Sequence, residues 1–189
     1  LNQYTGNNQA TGPITINPNK ETEIKQGLIG SMLNVLGTKY TRQYQELAMQ
    51  SRLKIPLLFG QDVIHGYKTT FPIPLAEAAS WDLAAMELSS RIAAVEASAS
   101  GIHWTFAVME GAGEDTYLGS RIAAARVKGF QGKLGDVNSV MACVKHFAAY
   151  GAAVGGRDYN SVDMSERMLW ETYLPPFKAA LDAGAATFM

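Results

Sequence analysis

Apolar residues in this chain follow two alternating patterns, and that alternation predicts the architecture. Short, strand-like runs occupy residues 27–36, 55–62, 102–107 and 140–147, and another begins at residue 185 and reaches Met189. The run at 55–62 has the continuous apolar character of a strand covered on both faces. Between them the apolar positions fall three or four apart, as on one side of a helix. Residues 41–52 are a predicted helix with Thr41 as N-cap and Tyr44, Leu47 and Ala48 on one face. Asp82 is placed to cap a long helix through Ser100, with Leu83, Met86, Ile92, Ala93 and Val95 as its buried stripe. Residues 116–130 form another predicted helix. A last one runs from the Ser165 cap to about Asp182, with Glu166 near its positive end and Gly184 closing it.

Residues 1–20 are polar and rich in Asn, Thr, Gly and Pro, with an alternating patch at Ile14 and Ile16. They read as an N-terminal arm or irregular entry with room for a short strand, leaving residues 21–189 as the domain proper. Repeated strand–helix alternation implies parallel strands with crossover helices. An open doubly wound sheet and a closed barrel both satisfy it. The polar residues favour the barrel. Asp62, Lys145 and His146 each end an apolar run, and in a barrel those strand ends build the active-site face. The expected fold class is α/β, a (β/α)8 TIM-barrel-like domain, incomplete in this chain, with about the first five or six strands.

Composition narrows the chemistry further. The 189 residues are 47% hydrophobic and 17% charged, with a net charge of −1, which argues against nucleic acid as a partner. A neutral, sugar-like ligand needs no steering field. Cys143 is the sole cysteine and sits in an apolar run, so it reads as a buried, inert thiol, with neither a disulfide framework nor a thiolate metal site. No apolar run approaches the roughly 20 residues of a membrane span. The chain begins at Leu1 rather than methionine, so its residues do not reveal a compartment.

Asp62 is either a ligand-binding carboxylate or a cap for the turn after its strand. As a sugar binder it could accept bonds from two adjacent hydroxyls. Lys145 and His146 are neighbours on a strand, where successive side chains diverge. Both can reach one pocket only if the strand ends, bulges or kinks there, and a strained peptide at this dipeptide is the expectation. The alternative is a core histidine beside a snorkelling lysine. Glu110, Glu114 and Asp115 crowd a helix start and could be a catalytic pair, a metal site, or capping and dipole compensation, the last being commonest. No histidine lies near them at ligand spacing, so a metal site is rejected. His103 reads as structural.

Taken together, five segments resemble glycoside hydrolase family 3. They are IPLLFGQDVIHG from residue 55, FPIPL from residue 71, EGAGEDTYL from residue 110, SVMACVKHF from residue 139 and YNSVDMS from residue 159. The similarity runs in order from about Thr22 to Met189 and is closest to the bacterial periplasmic-type β-glucosidases of the family, which begin with a barrel domain. It implies a retaining, exo-acting β-glucosidase that removes terminal non-reducing β-D-glucosyl residues from β-glucoside oligosaccharides or aryl glucosides. It implies no cofactor, a periplasmic or secreted location, and allows a homodimer. Asp62, Lys145 and His146 match the family's residues that hold the terminal sugar, and Met189 matches a methionine near the floor of that subsite. None is catalytic: the aspartate nucleophile and the glutamate acid/base are expected beyond Met189, so these residues alone should be inactive.

The family's N-acetylglucosaminidase branch is disfavoured, because Lys145-His146-Phe147 continues into Ala148-Ala149-Tyr150-Gly151 and no histidine follows His146. A β-xylosidase of the same family is harder to exclude. From another class, a Schiff-base lyase or aldolase barrel could use Lys145. One departure is internal. Where the family carries a stretch containing an arginine of the sugar subsite, Ala107 runs directly into Val108. A chain break between Ala107 and Val108, marking an omitted loop, is the expectation.

Overall fold

The computed structural model describes residues 2–6, 18–109 and 112–189. Six parallel strands make one sheet: β1 (Asn2–Thr5), β2 (Ile29–Leu33), β3 (Leu58–Gln61), β4 (Trp104–Met109), β5 (Met141–Lys145) and β6 (Thr187–Phe188). Their spatial order is their order in the sequence, each strand pairing with the next. A doubly wound sheet reverses direction at a switch point. This one does not, so its helices gather on one face and the sheet curls as the wall of a TIM-like barrel, incomplete in this chain. The stretch read as an arm with room for a short strand holds β1, Asn2–Thr5, paired with β2. Ile14 and Ile16 fall outside the described residues.

The helices are α1 (Lys20–Lys25), α2 (Thr38–Ala48), α3 (Pro74–Ser80), α4 (Leu83–Ala99), α5 (Thr116–Gln131), α6 (Glu166–Met168) and α7 (Leu174–Asp182). Asp82, Asp115 and Ser165 cap α4, α5 and α6, their side chains accepting from the backbone N–H of Ala85, Leu118 and Met168. Thr41 does not cap α2. That helix starts from Gly37, and Thr41 is buried inside it, packed so close to Gly101 that a Cβ there would meet Thr41 Oγ1 at 2.4 Å. The single helix expected after Ser165 is broken. Pro175 and Pro176 lack N–H donors and crowd the preceding turn, and residues Leu169–Tyr173 form a wider π turn in which Leu174 N–H bonds Leu169 O. The short α1 and α3 were not foreseen; Pro74, which reads as a breaker, stands at the first turn of α3, where proline is tolerated.

The helix-side core joins Phe59, Val108, Ala142 and Val144 from the sheet to Ala93, Ala97, Val127, Phe130 and Phe177 from the helices. The stripe that α4 buries is Met86, Ser89, Ser90, Ala93, Ala94 and Ala97, while Val95 faces outward. Beyond Met86 the stripe is small because α5 lies close: a Cβ on Gly129 would lie 2.3 Å from Glu87 O and 2.7 Å from Ser90 Cβ. The opposite sheet face carries a second set. Trp104 and Phe106 stack edge to face at 4.7 Å, Trp104 Nε1 donates to Thr187 Oγ1 at 2.8 Å, and Gly60 leaves room that a Cβ would take from Phe106. Cys143 is fully buried, and burial pushes its thiol pKa up.

The expected break at Ala107–Val108 is absent. Both residues are buried members of one continuous strand. β4 absorbs the junction as a bulge: Thr105 pairs with Ala142 and Val108 with Val144, so β4 has one residue more than β5 between these pairs.

An ion pair unforeseen from the sequence locks three helices together. Arg126 on α5 bonds Glu77 on α3, their side chains 3% and 8% exposed. Ser89 on α4 donates to the same carboxylate at 2.9 Å, and Arg126 also reaches the carbonyl of Ile64. Removing one partner strands a buried charge, so Glu77→Gln should cost about 3–5 kcal/mol. The double variant Glu77→Leu/Arg126→Met should recover most of that loss, as read from urea unfolding midpoints.

Candidate functional site

The site forms where β3, β4 and β5 end. β5 stops at Lys145, and the Lys145–His146 peptide that follows is cis, as is Phe147–Ala148. Lys145 Nζ donates to Asp62 Oδ1 at 2.6 Å, joining groups 83 residues apart. The lysine side chain is 8% exposed and the aspartate 22%. Lys145 Nζ also lies over the Phe106 ring, 5.9 Å from its centroid. One of its three donors is therefore used by Asp62, and the amine is engaged as an ion-pair partner. A Schiff-base lysine must instead offer a free amine to a carbonyl.

Lys145 and His146 both line a cavity of about 420 Å³ at this end of the sheet. Its walls come from Met109 at the end of β4, Glu114 before α5, Tyr150 in the loop after β5, and Tyr173 and Phe177 by α7. Asp62 reaches the site through Lys145 rather than from the cavity wall. Met189 is fixed by its backbone, with its N–H donating to Val144 O at 3.0 Å and its carbonyl accepting from Phe147 N–H at 2.6 Å. Its side chain is not part of the cavity lining. The structure thus gathers Asp62, Lys145 and His146 into one group, with Met189 beside it only through main-chain bonds.

Burial holds His146 below the ordinary imidazole value, helped by the neighbouring Lys145 charge and opposed by Asp62 and Asp158. A neutral imidazole can both donate and accept, which suits a hydroxyl. Of the acidic trio, Asp115 is a cap, its Oδ1 accepting from Leu118 N–H at 2.6 Å, and Glu114 faces the cavity. Glu110 lies outside the described residues. His103 is structural: its Nδ1 accepts from Phe59 N–H at 3.3 Å and its ring packs on Phe59. Among the described residues, no group of three His, Cys, Asp or Glu could hold a metal ion.

Residues 7–189 match the model of the glycosyl hydrolase family 3 N terminal domain. The chain belongs to glycoside hydrolase family 3. Over 196 aligned positions it is 44% identical to the periplasmic beta-glucosidase of Salmonella typhimurium, covering 93% of this chain and 26% of that protein. That alignment is longer than the 189-residue chain, so the relative carries residues without a counterpart here. A beta-xylosidase of Formosa agariphila is 31% identical across 92% of this chain and 28% of its own length. The crystal structure of beta-glucosidase from Listeria innocua in complex with isofagomine superposes with a TM-score of 0.90 at 38% identity, over 99% of this chain and 28% of that one. The family 3 chain thus spans about a quarter of the length of these relatives.

The aromatic and thioether wall residues Met109, Tyr150, Tyr173 and Phe177 were not singled out from the sequence. The lowered His146 pKa carries a testable sign. The unfolded chain, near 6.5, takes up the His146 proton first, so this group should cost stability as pH falls below 6.5 and not above it. NMR titration should place the His146 midpoint under 6.5, and His146→Gln should flatten that limb of the stability–pH curve.

Proposed function

We propose that this chain supplies the sugar-holding wall of a retaining, exo-acting β-glucosidase, and that the nucleophile and acid/base lie outside these residues. The observation that carries the reading is the Asp62–Lys145 pair beside His146 at the C-terminal ends of parallel strands. The family membership and the relatives named β-glucosidase support it.

On this reading the three groups divide the hydroxyls of one terminal glucose. Asp62 accepts from adjacent hydroxyls. Lys145 donates with the N–H groups that Asp62 does not take. The neutral His146 donates to or accepts from a third hydroxyl. Each group is partly or wholly withdrawn from water, so a sugar lacking a hydroxyl leaves a donor or acceptor unpaired and is rejected. Holding the ring rigidly also favours the flattened, cation-like geometry of glycosyl transfer. The substrates are β-glucoside oligosaccharides and aryl β-glucosides, and the chemistry needs no cofactor. The Salmonella relative supports a periplasmic or secreted setting. The identity to the Formosa protein makes β-xylosidase the competing specificity.

The full-length gene product should hydrolyse an aryl β-D-glucoside, releasing β-glucose first in the ¹H NMR spectrum of fresh product. Asp62→Ala and Lys145→Ala should each lower kcat/KM by about 10–100-fold, the worth of one bond to a charged group. Initial release of α-glucose would end the retaining assignment. A higher kcat/KM for the aryl β-xyloside would replace the glucosidase reading. Borohydride trapping of a keto compound on Lys145, without glycoside hydrolysis, would favour the lyase.

A further inference from the structure

His146 leans on a residue that the sugar-binding reading leaves unused. Among the described residues, no protein hydrogen bond to its ring nitrogens is present, so packing must set the plane of the imidazole. The aromatic group against it is Tyr150, with ring centroids 5.1 Å apart and planes inclined by 49°. Both rings line the same cavity. Tyr150 is 43% exposed, so burial of its own surface gives it little reason to sit there.

The loop that carries Tyr150 is built to hold it. Tyr150 begins a single helical turn entered through Ala149, whose φ is +67°. Ala152 N–H bonds back to Ala149 O at 3.0 Å, and Val154 N–H bonds Ser161 O at 2.9 Å, closing the loop on itself. Asn160 Nδ2 adds a bond to Val154 O at 3.0 Å. Asp158, in the same loop, sits beside the phenol and holds its pKa above the ordinary value.

We propose that Tyr150 is a positioning residue whose ring fixes the plane of the His146 imidazole, leaving both ring nitrogens free for ligand. The inference rests on the reading of His146 as a sugar-binding group. An imidazole that swings freely must be ordered each time a ligand binds, and a preset plane removes that cost. An aromatic contact of this kind is worth about two- to tenfold in an equilibrium.

The test uses the full-length protein labelled with ¹⁵N-histidine, its His146 ring signals assigned with His146→Gln. Tyr150→Ala should shift and broaden the His146 signals while those of His65 and His103 stay in place. The same variant should raise KM for an aryl β-glucoside by about fivefold or more with kcat per active site retained. Tyr150→Phe keeps the ring and should restore both readouts to within about twofold of wild type. A role in folding alone would lower the number of active sites without moving KM. Tyr150→Ala leaving the His146 signals and KM unmoved would overturn the proposal, as would Tyr150→Phe behaving like Tyr150→Ala. If the wild type hydrolyses no β-glucoside while Tyr150→Ala still moves the His146 signals, the positioning stands and the glucosidase reading falls.

Discussion

Six parallel strands paired in their sequence order impose one constraint on everything else in this chain. Each crossover must pass on the same side, and in the same sense, for the next strand to lie beside the last. The helices then share one face, and all the strand C-termini share one rim. Polar residues that end separate apolar runs are thereby carried to one place, however far apart they lie in sequence. Asp62 and Lys145 meet for this reason, and the cavity opens beside them because the loops after β4 and β5 leave the sheet at the same edge.

Two ion pairs in the chain show what burial does with that geometry. Arg126–Glu77 is sealed on both sides and tied by Ser89 and a backbone carbonyl into the junction of α3, α4 and α5. Every group faces inward, which suits a structural lock. Lys145–Asp62 is asymmetric: the ammonium is nearly covered, and the carboxylate remains more open. A lone charge at that depth would be costly, so the aspartate makes the lysine tolerable. The ammonium has three donors and gives one of them to Asp62. A sealed pair has a structural role alone, whereas a pair whose lysine lines a cavity is placed, under the proposed reading, to meet a ligand as well.

Much of the sheet and its helix caps was legible because these features are local. Mostly apolar runs marked β2 to β5, and Asp82, Asp115 and Ser165 stood at helix starts, where capping is the commonest use of their oxygens. What escaped was set at longer range. Thr41 had the chemistry of a cap but was claimed by packing against Gly101. Met86 and Ala93 of the expected α4 stripe are buried, but the rest of it proved to be Ser89, Ser90, Ala94 and Ala97, since Gly129 brings α5 close against that part of the helix. Glu77 and Arg126 lie 49 residues apart, and no local pattern announces their meeting. At the site, Asp62, Lys145 and His146 were visible as polar residues in apolar surroundings. The cavity walls were not, because a tyrosine or methionine beside a ligand looks in sequence like one in a core.

The junction at Ala107–Val108 shows how one residue of register can decide what faces a site. A regular β4 paired with β5 from Trp104 onward would bring Val108 to the face that Lys145 shares. The bulge between Thr105 and Val108 shifts the phase, so Val108 turns into the helix-side core with Val144, and Met109 pairs with Lys145 at the rim. Met109 consequently lines the cavity. Its thioether is soft, adaptable and a weak acceptor that brings no donor. Under the proposed reading Met109 therefore shapes an apolar wall, and Lys145 and His146 beside it donate to sugar hydroxyls. The slip that keeps β4 continuous thus places a thioether opposite Lys145 at the rim, beside the two β5-end residues to which the proposed reading assigns sugar hydroxyls.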